Sequence, residues 1–139
     1  MKKTVALIAH DGKKAEMLDF VNEHRAFLTR FRLVATGTTG RLIAAMGVEV
    51  EPYLSGPLGG DAQIAADVAT GRCHAVIFFR DPLGKHPHDP DISMLLRIAD
   101  VHNVPLATNA ATAELLVRAE SFGTRRDPAP PSYVPLPRG

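Results

Sequence analysis

The 139-residue sequence has no tryptophan, one cysteine and an aromatic share of only 6%. A lone cysteine, Cys73, closes no intrachain disulfide and builds no cysteine zinc site, and it fits a reducing compartment such as the cytoplasm. Charge of one sign is also missing. Sixteen basic and fifteen acidic side chains leave a formal charge of +1, so no global field draws the chain to nucleic acid or membrane. No apolar run reaches transmembrane length. The start, MKKTVALIAHD, opens like a signal peptide, but its apolar run from Val5 to Ala9 is too short and is ended by His10 and Asp11. The sequence has no internal repeats, no GxGxxG dinucleotide fingerprint and no Walker lysine.

What is present alternates. TVALIA (Thr4 to Ala9) and CHAVIFF are continuous apolar strands of the type buried on both faces, the second of them central. RLVATG and VPLAT are shorter strands. VEVEPYL sets Val48 and Val50 against Glu49 and Glu51, the period of a strand wetted on one side at a sheet edge. Between these lie helical segments. KKAEMLDFVNEHRAFL carries a stripe through Met17, Phe20, Val21 and Phe27, GRLIAAMG stops at Gly47, and DAQIAADVATG is rich in alanine. DPDISMLLRIADVHN starts with aspartates, and NAATAELLVRAESFG is the last helix. Five strands alternating with helices predict an α/β sandwich on a parallel sheet with right-handed crossovers. Residues 1–123 read as one domain. Residues 124–139, TRRDPAPPSYVPLPRG, read as a proline-rich tail, either loose or lying as an arm over a neighbouring subunit.

In a parallel sheet the segment after each strand falls on the carboxyl edge, where open α/β sheets bind ligands. Those segments are HDGKK, TGTTG, SGPLGGD, RDPLGKHPHDPD and TNAAT, so the side chains of chemical interest converge on one rim. In TGTTG (Thr36 to Gly40), glycine backbone N–H groups and threonine hydroxyls suit a phosphate cradle at a helix N-terminus. The same residues suit a plain helix start capped by threonine. Ser55-Gly56 and the cation of Lys14 on the first helix favour phosphate, and a single monoester over a dinucleotide. Asp61, after Gly59 and Gly60, suits an N-cap, or a general base that bare backbone opens to a small substrate. HPHDPD places His86, His88, Asp89 and Asp91 in one loop. Pro87 and Pro90 hold that loop extended and no third ligand has helical spacing to either histidine, which argues against a metal. His88 oriented by an aspartate, with Asp81 as its candidate partner, suits an electrophile or proton carrier; Asp89 and Asp91 also suit helix capping. His10 suits a ligand oxygen or a satisfied place on the rim. His24, His74 and His102 receive no role, and Cys73 packs as a small hydrophobe.

Together ALIAHDGKK, ATGTTGRLI, LSGPLGGDAQIAA, VIFFRDPLGKHPHDPD and NVPLATNAATAELL resemble the methylglyoxal synthase family in residues, order and spacing, over roughly Thr4 to Ser121. The resemblance implies a three-layer α/β/α sandwich with a five-stranded parallel sheet in the order 3-2-1-4-5, in agreement with an edge position for Val48 to Tyr53. It implies conversion of dihydroxyacetone phosphate to methylglyoxal and inorganic phosphate, a bypass of glycolysis, by an allosteric homohexamer that phosphate inhibits and that uses no cofactor or metal. It makes Asp61 the catalytic base. It matches His10, Lys14, Thr36, Gly37, Thr38, Thr39, Ser55, Gly56 and His88 to substrate-binding positions, and Asp81 and Asp91 to further active-site carboxylates. Stabilisation of charge on the substrate carbonyl then falls to His88, with help from His10.

The tail departs from the family pattern. Family members carry another strand-like run and an arginine near the C-terminus, whereas this tail is too rich in proline to join a ladder, and Arg125, Arg126 and Arg138 compete for that role. Two other functions compete with the synthase. One is a ligand-sensing domain similar to the allosteric domain of carbamoyl-phosphate synthetase, which binds a phosphorylated effector without catalysis and needs the cradle but not Asp61, His88 and Asp91 together. The other is a phosphosugar isomerase that never eliminates phosphate.

Overall fold

A computed structural model describes residues 2–84 and 89–119. Five strands form one parallel sheet: β1 (Thr4–Ala9), β2 (Arg32–Thr36), β3 (Glu51–Tyr53), β4 (Ala75–Phe79) and β5 (Leu106–Ala107). Their spatial order is β3-β2-β1-β4-β5, as expected. The helices are α1 (Lys14–Glu23), α2 (Arg25–Leu28), α3 (Gly37–Ala45), α4 (Gly60–Ala69), α5 (Asp89–Val101) and α6 (Ala110–Arg118).

The alternation of side chains along a strand divides the core into two layers. Val5, Leu7 and Ala9 of β1 and Ala75, Ile77 and Phe79 of β4 face α1, α3 and α6 through Met17, Phe20, Val21, Ile43 and Ala113. Ala6, Ile8, Val76 and Phe78 face the other way, onto Ile64 and Val68 of α4 and Ile92 and Leu95 of α5. Both faces of β1 and β4 are therefore covered, which is why their sequences are apolar without alternation. Each fully buried Leu, Ile or Phe here stabilises the fold by about 1.5–3 kcal/mol.

Three boundaries differ from expectation. β3 pairs over Glu51–Tyr53 only, while Val48 already belongs to the core. Pro52 has no N–H, which suits an edge strand but weakens any longer ladder. The first long helix breaks at His24 (φ −112°, ψ 29°), where the imidazole stacks on Phe20 at 4.8 Å and lies 2.6 Å from the Glu114 carboxylate of α6. Strand β4 starts at Ala75, two residues after Cys73. The Cys73 thiol is buried in the second layer, and burial pushes its pKa up to about 11, so it packs rather than reacts. No described helix is long and apolar enough to cross a membrane. The expected tail lies outside the described residues.

Candidate active site

The carboxyl rim is assembled in two halves. The first joins the loops after β2 and β3 to the start of α4. Thr36 ends β2 and occupies the N-cap position of α3, yet its side chain makes no capping bond. The first turn of a helix leaves backbone N–H groups without intrahelical acceptors. That of Gly37 goes to the Leu54 carbonyl at 3.2 Å. A Cβ on Gly37 would meet Ser55 backbone at 3.0–3.1 Å, so glycine lets the two small-residue loops touch. Thr39 is 2% exposed, and its hydroxyl has no hydrogen-bond partner among the described residues. Thr38 is exposed and its hydroxyl accepts from the Arg41 guanidinium at 3.3 Å.

After β3 the chain makes a single 3-10 turn over Gly56–Leu58. The Ser55 carbonyl accepts from Leu58 N at 3.0 Å and from Gly60 N at 2.9 Å. Gly59 holds φ at +110°, in the region that favours glycine, and takes the N-cap position of α4. Asp61 is therefore not the N-cap. It sits inside the first turn with its side chain wholly buried, 0% exposed. Removing a carboxylate from water costs several kcal/mol, and the positive end of the α4 dipole offsets part of that. Gly60 makes the approach possible: a Cβ there would fall 1.9 Å from the Leu54 carbonyl oxygen and 2.9 Å from Thr36 Cγ2.

The second half joins the loops after β1 and β4. His10 is buried, packs edge-on against Phe78 at 5.0 Å, and accepts from the backbone N–H of Asp81 at Nδ1, 2.9 Å away. An imidazole that accepts at Nδ1 is neutral and carries its proton on Nε2, so the far nitrogen of His10 is a donor. Asp81 Oδ1 accepts from Leu83 N at 3.0 Å, and its carboxylate lies against Gly12, where a Cβ would come within 2.5 Å of Oδ2. Lys14 opens α1 with its ammonium bonded to the Ala9 carbonyl at 3.0 Å and to Asp11 Oδ1 at 2.9 Å. Asp91 is half-buried near the start of α5. His88 lies outside the described residues, and with it the expected pairing to Asp81; among the described residues Asp81 meets His10 instead, through its backbone.

Thus Thr36, Gly37, Thr39, Ser55, Gly60 and Asp61 gather in one half, and His10, Gly12 and Asp81 in the other, on adjacent strands of one sheet edge. The roles of Gly12, Gly60 and Arg41 are not legible in sequence, because each depends on a neighbour brought close by the fold. A separate group of ligating side chains, Glu23, His24 and Glu114, lies at the far end of α1, about 14 Å along the helix from Lys14.

The family profile described as an MGS-like domain matches residues 16–108. A curated methylglyoxal synthase from Carboxydothermus hydrogenoformans is 60% identical over 116 residues, covering 83% of this chain and 96% of that protein. One from Borrelia garinii subsp. bavariensis is 54% identical over 119 residues, covering 85% and 94%. The crystal structure of methylglyoxal synthase from Elizabethkingia anophelis superposes with a TM-score of 0.83 at 44% identity, covering 88% of this chain and 82% of that one. The chain belongs to the methylglyoxal synthase family, enzymes of the carbon–oxygen lyase class.

Proposed function

We propose that the enzyme converts dihydroxyacetone phosphate to methylglyoxal and inorganic phosphate through an enediolate, with Asp61 as general base. The observation that carries this reading is the full burial of Asp61 in the first turn of α4, where Gly59 takes the N-cap position and the adjoining Gly60 lies against Leu54 and Thr36. Asp61 takes a proton from the hydroxymethyl carbon, and the electron pair moves through the new C=C bond onto the carbonyl oxygen. His10, a donor at Nε2, and His88 stabilise that oxygen. The enediolate's hydroxyl then gives up its proton and its carbon becomes the aldehyde carbonyl, the C=C shifts to the phosphate-bearing carbon, and the C–O bond to phosphate breaks with its electrons leaving on the phosphate. The remaining enol tautomerises to methylglyoxal. No electrons are gained or lost overall, so the step needs no redox cofactor.

Expulsion requires the breaking C–O bond to stand perpendicular to the enediolate plane. Thr36, Gly37, Thr38, Thr39, Ser55 and Gly56 therefore fix a torsion as well as bind charge, while Lys14 balances the leaving phosphate. Asp81 orients His10, and Asp91 adds a second carboxylate at the rim. In this reading residues 1–123 are the single domain and 124–139 its tail, and the enzyme works in the cytoplasm as a homohexamer inhibited by phosphate. Leu58 and Leu83 on the rim loops, 73% and 94% exposed, support an assembled state.

Incubation of the purified chain with dihydroxyacetone phosphate, followed by assay of free phosphate and dicarbonyl trapping, tests the reading. Equal amounts of phosphate and dicarbonyl are expected. Aldose phosphate without free phosphate would make it an isomerase, and no turnover with phosphate binding intact would make it a sensor.

A further inference from the structure

The two loops of the cradle and the helix that bears Asp61 meet at the backbone of one residue, Leu54. Its carbonyl accepts from Gly37 N at 3.2 Å and lies against Gly60, where even a methyl group would not fit. Its N–H donates to Gln63 Oε1 at 2.7 Å. Among the described residues Gln63 is the one side chain shown bonded to this joint, and it stands on α4 two residues beyond Asp61. Both Gln63 and Leu54 are exposed, so the contact is not core packing. Because the partner is an N–H, the amide must present its oxygen, which fixes the orientation of the side chain.

We propose that Gln63 is a positioning residue that holds the Ser55-Gly56 half of the cradle at a fixed distance from Asp61 and so decides the fate of the enediolate. This rests on the proposed reaction. The enediolate has two exits. Expulsion breaks the C–O bond to phosphate and yields methylglyoxal. Reprotonation at the former carbonyl carbon keeps that bond and yields the aldose phosphate. Only the first needs the phosphate held out of the enediolate plane, so a cradle that swings relative to the base favours the second. The Ser55 carbonyl is already held by Leu58 N and Gly60 N; the Gln63 bond adds a second tie to the helix that carries the base, one residue earlier in the loop and made by a side chain.

Two variants test this. Gln63→Met keeps the length and removes the acceptor; Gln63→Glu keeps an acceptor. Gln63→Met is expected to lower turnover about 5- to 30-fold, the equivalent of about 1–2 kcal/mol, to weaken inhibition by inorganic phosphate at least about 5-fold, and to raise the fraction of aldose phosphate. Its melting temperature should stay within a few degrees of the parent. Gln63→Glu should keep the parental product ratio even where its added charge raises KM. A Gln63→Met enzyme with parental product ratio and phosphate affinity, or a Gln63→Glu enzyme altered as much as Gln63→Met, overturns the proposal. If the unmodified enzyme releases no phosphate, the reaction itself is wrong. Gln63 is then judged by titration with inorganic phosphate alone, where affinity equal to the parent's in Gln63→Met rejects it.

Discussion

The two ends of the sheet both carry polar groups and use them differently. At the amino end a cleft of about 1120 Å³ is lined by Lys2, Lys3, Arg32, Glu49, Glu51, Arg72 and His74, among others. Its charges answer one another. Arg32 pairs with Glu51, Arg72 with Asp67 at 3.3 Å, Lys2 donates to the Thr29 carbonyl at 3.2 Å, and His74 accepts from Thr4 N at 3.0 Å. At the carboxyl end Asp61 is buried completely, Thr39 keeps a buried hydroxyl with no partner among the described residues, and Thr36 holds a capping position without capping. One end ties the fold together. The other holds polar groups in places that local structure does not require, which is where chemistry is to be sought.

Substitutions at the two ends should separate accordingly. The largest effect belongs to Asp61→Asn, with turnover down by at least ~10² while titration still shows phosphate binding. Gly60→Ala comes next. Its Cβ must push the Leu54 carbonyl away from α4, so turnover should fall about 10-fold or more and thermal unfolding should show a loss of about 1–3 kcal/mol. Thr39→Val removes a hydroxyl that has no partner in the described fold. Stability should hold or rise by up to ~1 kcal/mol while the phosphate inhibition constant rises about 10-fold, the opposite signs expected of a group kept for a ligand. Arg72→Ala at the amino end should leave turnover unchanged and cost at most ~1 kcal/mol, since the arginine of this salt bridge is 66% exposed. If Arg72→Ala lowered turnover more than Thr39→Val weakened phosphate inhibition, the contrast between the ends would fail.

The smallest effect is one of pH. Burial first, and then the hydrogen bond to Asp67, push the Tyr53 phenol from 10.0 up to about 12. The unfolded chain loses that proton first, so the stabilisation is whole below about pH 10 and is lost as pH rises towards 12. Burial moves Cys73 from 9.0 to about 11 with the same sign. Urea unfolding at alkaline pH should therefore show stability falling through this window, with a shallower fall in Tyr53→Phe. An equal slope in the variant would remove Tyr53 from the account.

The sheet was legible because its strands announce themselves chemically. β1 and β4 are apolar on both faces, and the alternation of Val48 and Val50 with Glu49 and Glu51 marks an edge. The rim was legible because parallel topology sends every post-strand loop to one side. Less legible were boundaries set by distant partners. His24 ends α1 where Glu114 of a remote helix meets it, and Val48 leaves the ladder for the core. For Asp61 the sequence offered capping and catalysis as rivals. The structure removes the first, because Gly59, with its left-handed backbone, takes the capping position. The need for glycine at Gly60 could not be read at all, since it comes from the Leu54 carbonyl six residues away in sequence and in contact only after the chain has turned.

The most direct measurement follows the substrate's hydroxymethyl protons in deuterated water by NMR. The unmodified enzyme should remove one of them stereospecifically and deliver solvent deuterium to product, and Asp61→Asn, still saturated with dihydroxyacetone phosphate, should leave the bound substrate's protons unexchanged. Exchange in Asp61→Asn at the unmodified rate would mean that another group takes the proton.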